Sequence, residues 1–117
     1  MNRRVAAEQR GRGAERIAAW WLRLRGWRIL AQRARVPCGE VDLIARRGRI
    51  VAFVEVKARG SQEGLALALD QYRLRRVAVA AERLAPRYTR DGDDIRIDAI
   101  FVLPGRLPRH LANVWHG

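Results

Sequence analysis

Three ionisable residues stand within short apolar runs of this sequence, at a spacing that suits phosphate chemistry. Asp42 lies in EVDLIA (40–45), and Glu55 and Lys57 lie in VAFVEVK (51–57). Burying an unpaired carboxylate is costly, so such residues in apolar strands need a compensating cation or hydrogen bonds. Two carboxylates beside a lysine predict a site for a hard cation such as Mg²⁺, which binds a few carboxylate oxygens and retains waters. Such an ion polarises a phosphoryl oxygen and lowers the pKa of a bound water.

The lysine of this group has no counterpart elsewhere in the chain. Of the 24 lysine and arginine residues, only Lys57 is a lysine. An ammonium group is a compact charge whose pKa can shift, whereas a guanidinium is a permanently charged planar fork. The choice of lysine therefore favours a role in charge stabilisation or proton transfer. The simpler interpretation is that Glu55 and Lys57 form an ion pair on an edge strand, which stabilises a fold by under about 1 kcal/mol.

The elements that position these residues are indicated by the spacing of apolar residues. Ile17, Trp21 and Leu24 recur at helical spacing within a helix predicted from about residue 14 to residue 25, with Gly26 as its stop. Strands are predicted at 27–36, 40–45, 50–58 and 95–103. A second helix is predicted from about residue 65 to residue 84, ending before Pro86. The segments 60–64 and 89–94 are predicted loops, and the last residues are predicted to form a short helix or a loose end.

The order αβββαβ predicts an α/β layered domain in which helices cover a mixed central sheet. The connection around Gly48 predicts a two- or four-residue hairpin loop. In either register, even-numbered residues of the second strand face odd-numbered residues of the third. Asp42 then shares one sheet face with Glu55 and Lys57, so the three ionisable side chains converge.

Length and composition predict one domain over residues 1–117. Hydrophobic residues make up 49% of the chain, and no apolar run has the length of a membrane span. The N-terminal residues lack the clean apolar region of a signal peptide, so we expect a cytoplasmic protein with no membrane partner. The single cysteine, Cys38, excludes an internal disulfide and a cysteine-rich zinc site.

The formal net charge of +12 predicts a polyanionic partner, most simply nucleic acid. The candidates for contacts to a phosphate backbone are Arg12, Arg16, Arg46, Arg47, Arg59, Arg73, Arg75 and Arg76. As a set they would neutralise several phosphates, so binding should weaken steeply with salt. Most tryptophans lie in or beside the first helix, where core packing is expected, so no sequence readout is predicted. The alternative is an arginine-rich surface that serves no ligand.

The hairpin block GEVDLIARRGRIVAFVEVKAR (39–59) closely resembles the signature of the YraN family of small bacterial proteins. That family is similar to the archaeal Holliday-junction resolvases and belongs to the PD-(D/E)xK nuclease superfamily. GAERIAAWWLRLRGWRIL (13–30), DQYRLRRVAVAAERL (70–84) and IRIDAIFV (95–102) resemble the family's first helix with the strand that follows it, its second helix and its last core strand. The resemblance covers about residues 10–103 and implies a restriction-endonuclease-like fold.

The resemblance also implies roles for individual residues. Mg²⁺ or Mn²⁺ would be bound by Asp42, Glu55 and the backbone carbonyl of Val56, with Glu15 of the first helix nearby. Lys57 would position or activate the attacking water. A solvated Glu15, favoured by the helix dipole, is the alternative for that residue. Where the family commonly has a lysine on the second helix, this chain has Arg73, which can still contact a phosphate.

These observations together predict a metal-dependent endodeoxyribonuclease acting on DNA. The similarity to resolvases implies branched DNA as a substrate and a homodimer as the active form, by analogy alone. The alternatives are a non-catalytic nucleic-acid-binding module on the same fold and a protein-interaction subunit. Asp98, in the last predicted strand, is expected to be structural and to pair with an arginine.

Overall fold

A computed structural model of the chain describes residues 3–58 and 71–116. Its elements are α1 (Arg3–Leu24), β1 (Arg28–Val36), β2 (Gly39–Arg47), β3 (Ile50–Ala58), α2 (Gln71–Tyr88), β4 (Asp94–Val102) and β5 (Arg109–Leu111). The strands form one sheet in the order β1-β2-β3-β4-β5. Among the strands described, only the β3–β4 pair is parallel, so the predicted mixed sheet with flanking helices is confirmed. Among the helices described, none is long and apolar enough to cross a membrane.

Two tight hairpins set the register of the first three strands. Val36 pairs with Gly39, so Pro37 and Cys38 form a two-residue turn in which Cys38 has a left-handed backbone. In the second hairpin, Arg47 pairs with Ile50 around Gly48, whose φ of 61° suits a glycine. The second hairpin therefore adopts the shorter of the two predicted loops.

The two helices cover opposite faces of the sheet. The face under α2 is an apolar cluster formed by Val41, Ile44, Val51, Phe53, Leu74, Val77, Ala80, Ala81, Leu84 and Ile97. The face under α1 is formed by Ala18, Ala19, Leu22, Trp27, Leu43, Ala45, Ala52, Val54 and Ile100. Burial of this apolar surface on both faces is the main stabilising contribution to the fold.

Helix α2 touches the start of β2 through backbone atoms. A Cβ added to Gly39 would lie 2.7 Å from the carbonyl oxygen of Arg76 and 2.8 Å from the backbone nitrogen of Ala80. Only a glycine permits this approach without displacement. The contact fixes the height of α2 above the strand that carries Asp42.

Helix α1 differs from its predicted form in length and in its buried face. It begins at Arg3, well before residue 14, because the preceding residues are mostly good helix formers even though they show no apolar period. Its buried face consists mainly of alanines, which allow close packing on the sheet, while Ile17 and Leu24 are exposed. The expected core packing of tryptophans holds for Trp27, which is buried, but is wrong for Trp20, which is 54% exposed.

The second helix and the C-terminal residues also differ from prediction. Helix α2 continues through Pro86 to Tyr88, and its predicted start at 65–70 lies outside the described residues, as does the predicted loop 60–64. Pro86 is tolerated because it stands in the last turn, where a missing N–H removes a single hydrogen bond. The predicted short helix or loose end is wrong, since Arg109–Leu111 pairs with β4 as an edge strand.

A fully buried aspartate fastens this C-terminal segment to the sheet. Asp98 accepts two hydrogen bonds from Arg96, at 2.9 and 2.8 Å, and one from the backbone N–H of Asn113 at 2.9 Å. Its carboxylate also lies 2.7 Å from Nε2 of His110. Burial alone would raise the pKa of Asp98, but these bonds outweigh burial and lower it. The predicted pairing of Asp98 with an arginine is confirmed.

Candidate active site

The candidate site lies where the β2–β3 ladder stops. The last paired residues are Leu43 and Val54, and the pairing of Ile44 with Phe53 confirms the predicted even-to-odd register. Beyond this point the Oδ2 atom of Asp42 accepts the backbone N–H of Val56 at 2.8 Å, in the place of a strand carbonyl. Since strand N–H groups point along the plane of the sheet, the Asp42 carboxylate lies in the gap between the two strands.

Glu55 and Lys57, two residues apart on β3, form a short buried ion pair. The two residues are 2% and 7% exposed, and Nζ of Lys57 lies 3.2 Å from Oε1 of Glu55. The same oxygen accepts a hydrogen bond from Nε of Arg73 at 3.0 Å. Because β3 lies between β2 and β4, the interpretation of Glu55 and Lys57 as an edge-strand pair is wrong. The structure brings the predicted triad together, and its catalytic roles stay a prediction.

Burial and the neighbouring carboxylate of Glu55 perturb the pKa of Asp42. Burial of Asp42, and next the charge of Glu55, raise the pKa of Asp42 from its ordinary value of 3.8 to about 7. The hydrogen bond from Val56 acts in the opposite direction, and the charge of Glu15 adds a smaller increase. At neutral pH Asp42 therefore carries less than its full negative charge.

The donor atoms of this pair fit a hard divalent cation. Among the residues that the structure describes, no three His, Cys, Asp or Glu side chains are grouped as a metal cage. Mg²⁺ does not need such a cage, since it is held by one or two carboxylates and keeps several waters. The oxygens of Asp42 and Glu55 meet this requirement, whereas protein zinc sites are built mainly on histidine nitrogen and cysteine sulfur.

Glu15 reaches the same region from α1, but an arginine holds it. Its Oε2 atom lies 2.7 Å from Nε of Arg33, and its side chain is 15% exposed. Arg33 has a φ of 52° within β1, a left-handed conformation that costs a non-glycine residue about 1 kcal/mol or more. The residues on either side of Arg33 pair with the residues on either side of Asp42, so the two stand opposite each other. The alternative of a freely solvated Glu15 is wrong.

Two clefts border the acids. The larger, of about 340 Å³, is lined by Arg12, Glu15, Arg33, Arg35, Glu40, Val41 and Asp42. The smaller, of about 120 Å³, is lined by Glu40, Glu55, Tyr72, Arg73 and Arg76. Glu40 lines both clefts and forms a long, exposed ion pair with Arg35 at 3.6 Å. The carboxylates are thus flanked by arginines on the α1 side and on the α2 side.

Comparison with known proteins assigns the chain to a family. Residues 14–102 match the family described as "Uncharacterised protein family UPF0102". The chain belongs to the UPF0102 family. It is 65% identical over 117 residues to a UPF0102 protein of Rhizorhabdus wittichii, covering 100% of this chain and 99% of that protein. It is 69% identical over 112 residues to a UPF0102 protein of Sphingopyxis alaskensis, covering 96% and 97%. The resemblance to the YraN family is confirmed.

Seven of the eight predicted phosphate-binding arginines of this UPF0102 chain lie within the described residues, and they fall into three groups. Arg12, Arg73 and Arg76 line the clefts beside the acids. Arg16 and Arg75 are exposed on the helices without lining either cleft, and Arg59 lies outside the described residues. The first group therefore forms the core of a candidate backbone-binding surface.

Arg46 and Arg47 lie at the far end of β2, about 13 Å and about 17 Å along the strand from Asp42. Nη2 of Arg46 is 2.6 Å from Oδ2 of Asp93, and Arg47 stacks on the Trp27 ring at 4.6 Å. Both guanidinium groups thus have partners within the fold.

Sequence reasoning missed Arg33 and Arg35, which line the larger cleft from β1. The signal was present in the alternation of QRARV, which places arginines at every second residue of a strand beside the one carrying Asp42. The left-handed backbone of Arg33 had no such signal, because arginine has no preference for that conformation.

Proposed function

We propose that this UPF0102 chain is a Mg²⁺- or Mn²⁺-dependent endodeoxyribonuclease that hydrolyses phosphodiester bonds. The observation that supports it most directly is the meeting of Asp42, Glu55 and Lys57 at the end of the β2–β3 ladder, between two arginine-lined clefts. A purely structural ion pair would need neither a second carboxylate nor access to a cleft. Perturbed acids in a cleft are typical of functional sites.

Each residue of the site has a role in this proposal. Asp42 and Glu55 would hold the cation, together with the carbonyl of Val56 and, on the α1 side, Glu15. A bound cation supplies polarisation of a phosphoryl oxygen and a water of lowered pKa. Lys57, held by Glu55 at 3.2 Å and largely removed from solvent, places a fixed positive charge beside the reacting phosphate and orients the attacking water.

The arginines on both sides of the acids favour a nucleic-acid backbone as the substrate. A phosphodiester strand crossing the site would meet Arg12, Arg33 and Arg35 on one side and Arg73 and Arg76 on the other. One guanidinium group can donate two hydrogen bonds to the oxygens of one phosphate. Contacts of this kind do not depend on the base sequence. Branched DNA and a dimer with two sites enter the proposal through similarity to the resolvases alone.

The test is cleavage of labelled single-stranded, duplex, flap and four-way-junction DNA in Mg²⁺ or Mn²⁺, with binding recorded in the same samples. Lys57→Met removes the ammonium group while filling the buried volume. Arg49→Gln is the matched control, because it removes a charge from the exposed β2–β3 turn, about 26 Å along the strand direction from Lys57. We expect metal-dependent cutting that Lys57→Met abolishes and Arg49→Gln retains. Equal cutting by Lys57→Met and wild type would refute the assignment.

A non-catalytic module that binds nucleic acid is the second candidate. The hydrogen bond from Arg73 to Glu55 favours it, because an arginine already occupies a carboxylate that the nuclease needs for its cation. DNA binding without cutting by any of these proteins, on every substrate and with both metals, would establish this alternative.

A further inference from the structure

Two acids at the candidate site are each held by an arginine from a different element. Glu15 on α1 binds Arg33 of β1 at 2.7 Å, and Glu55 on β3 binds Arg73 of α2 at 3.0 Å. Both contacts use the Nε atom of the arginine. Each arginine also lines one of the two clefts beside the acid that it binds, so each guanidinium group is within reach of a substrate in that cleft.

The exposure of these side chains is unequal within each pair. The acids are 15% and 3% exposed, whereas Arg33 and Arg73 are 44% and 48% exposed. Lys57, the other cation on Glu55, is only 8% exposed. The two arginines can therefore turn from their acids to a ligand in the cleft at low cost. The ammonium group of Lys57 is buried beside Glu55 and is expected to stay there.

We propose that Arg33 and Arg73 exchange partners between two states of the protein. Without a divalent cation they neutralise Glu15 and Glu55, and when a cation binds these acids the two guanidinium groups turn to phosphates of the DNA backbone. This inference rests on the proposed function and adds a coupling between its two ligands. The arginines thus substitute for the cation in the free protein and contact the substrate in the complex.

The charges of the site support the exchange. Asp42, Glu55 and Glu15 carry at most three negative charges, which Lys57, Arg33 and Arg73 already balance. A divalent cation added to this group leaves an excess of positive charge, which incoming phosphates neutralise. Cation and DNA should therefore strengthen each other's binding, and by thermodynamic linkage the factor must be the same in both directions.

Arginine is well suited to this double use. Its planar fork matches a carboxylate and a phosphate equally well, and its charge does not depend on which partner it has. Arg35 supplies the contrast: it lines the same cleft as Arg33, but it is 81% exposed and its nearest acid is Glu40, at 3.6 Å. Arg35 should contribute charge to DNA binding without taking part in the exchange.

The test measures both ligands separately on the wild type and on Arg33→Gln, Arg73→Gln and Arg35→Gln. Fluorescence anisotropy gives the affinity for a labelled oligonucleotide with and without Ca²⁺, and a gel confirms that the oligonucleotide stays intact. Calorimetry gives the affinity for Mn²⁺ without DNA. Arg35→Gln is the matched control, because it removes an equal charge from the same cleft.

For the wild type we expect Ca²⁺ to strengthen DNA binding about fivefold or more, within the usual range of coupling between sites. Arg73→Gln should bind Mn²⁺ more tightly than wild type, because its competitor for Glu55 is gone, and should lose most of the cation-dependent gain in DNA affinity. Arg33→Gln should lose part of that gain. Arg35→Gln should weaken DNA binding by the same factor with and without cation.

DNA affinity of the wild type that does not respond to the cation would overturn the exchange, as would weaker or unchanged Mn²⁺ binding by Arg73→Gln. Cleavage by the wild type distinguishes this failure from failure of the proposed function. A protein that cuts DNA but shows no coupling retains the nuclease assignment and loses the exchange. A protein that binds neither cation nor DNA loses both.

Discussion

Replacing Asp42 by asparagine should stabilise the cation-free protein, and the gain should depend on pH. The pKa of Asp42 is raised from 3.8 to about 7 in the folded state, chiefly by burial and next by the charge of Glu55. A carboxyl group that holds its proton more tightly when folded favours the folded state at low pH. That preference is lost as the pH rises from 3.8 to about 7. Above this range, the free energy of unfolding is lowered by the full cost of keeping the charged carboxylate buried.

The size of the penalty follows from the pKa difference. A difference of about three between the two pKa values corresponds to about 4 kcal/mol. Because Asp42 lines the larger cleft and is partly exposed to solvent there, screening should reduce this cost by about half. Asp42→Asn should then be more stable than wild type by about 2 kcal/mol at pH 8, which is about 8 °C in Tm for a chain of this size. Near pH 4.5 the difference should be about 0.5 kcal/mol. Asparagine keeps an oxygen that can accept the N–H of Val56.

The assay is urea unfolding at pH 4.5, 6 and 8, with and without Mg²⁺. Glu40→Gln is the control, because it removes a carboxylate from the half-exposed start of the same strand. We expect Mg²⁺ to stabilise the wild type at pH 8 and to leave Asp42→Asn nearly unchanged, so that the gap narrows. An Asp42→Asn protein that is less stable than wild type at pH 8, or a difference in stability that is the same at all three pH values, would contradict a raised pKa of Asp42.

Two further predictions concern the fold. Asp98→Asn should lower the free energy of unfolding by about 3 kcal/mol at pH 7, because it leaves the charge of Arg96 without its buried partner. Since the pKa of Asp98 is lowered in the folded protein, the stabilisation from its charge is present above about pH 4 and is lost as the pH falls further. Urea unfolding at pH 3 should show a smaller deficit, and a deficit that is equal at both pH values would contradict this. Gly39→Ala should cost about 1–3 kcal/mol, because the new methyl group meets the backbone of α2. Gly13→Ala should gain about 0.5–1 kcal/mol, because no atom of the described residues outside the local helix backbone lies within 4 Å of the added Cβ. Thermal unfolding of both variants checks the pair.

The convergence of Asp42, Glu55 and Lys57 could be predicted from sequence because it depends on two local rules. A short glycine-containing loop fixes the register of a hairpin, and the period of two along a strand fixes which side chains share a face. Both rules act between neighbouring segments. Mixed sheet order was equally accessible, since a strand that follows a helix pairs most simply in parallel with an earlier one.

The partners that hold these residues could not be predicted, because they come from contacts between distant elements. Arg73 is 18 residues from Glu55 and Arg33 is 18 residues from Glu15, and many arginines of this chain could have filled either position. The three-residue strand β5 carries no periodic signal, and its pairing depends on the exposed edge of β4. Such choices are made by packing and charge in the assembled fold, after local propensity has set the elements.

The hydrogen bonds to Asp98 show how far towards the C-terminus the folding unit extends. The family match ends at residue 102, yet His110 and the N–H of Asn113 bind a carboxylate that is fully buried inside the matched region. A protein shortened to the matched residues would lose both of these bonds and would leave β4 as an open sheet edge, a surface prone to pair with other chains. Expression trials should therefore extend at least through Asn113. For this chain, the boundary of the family match is narrower than the unit that these hydrogen bonds hold together.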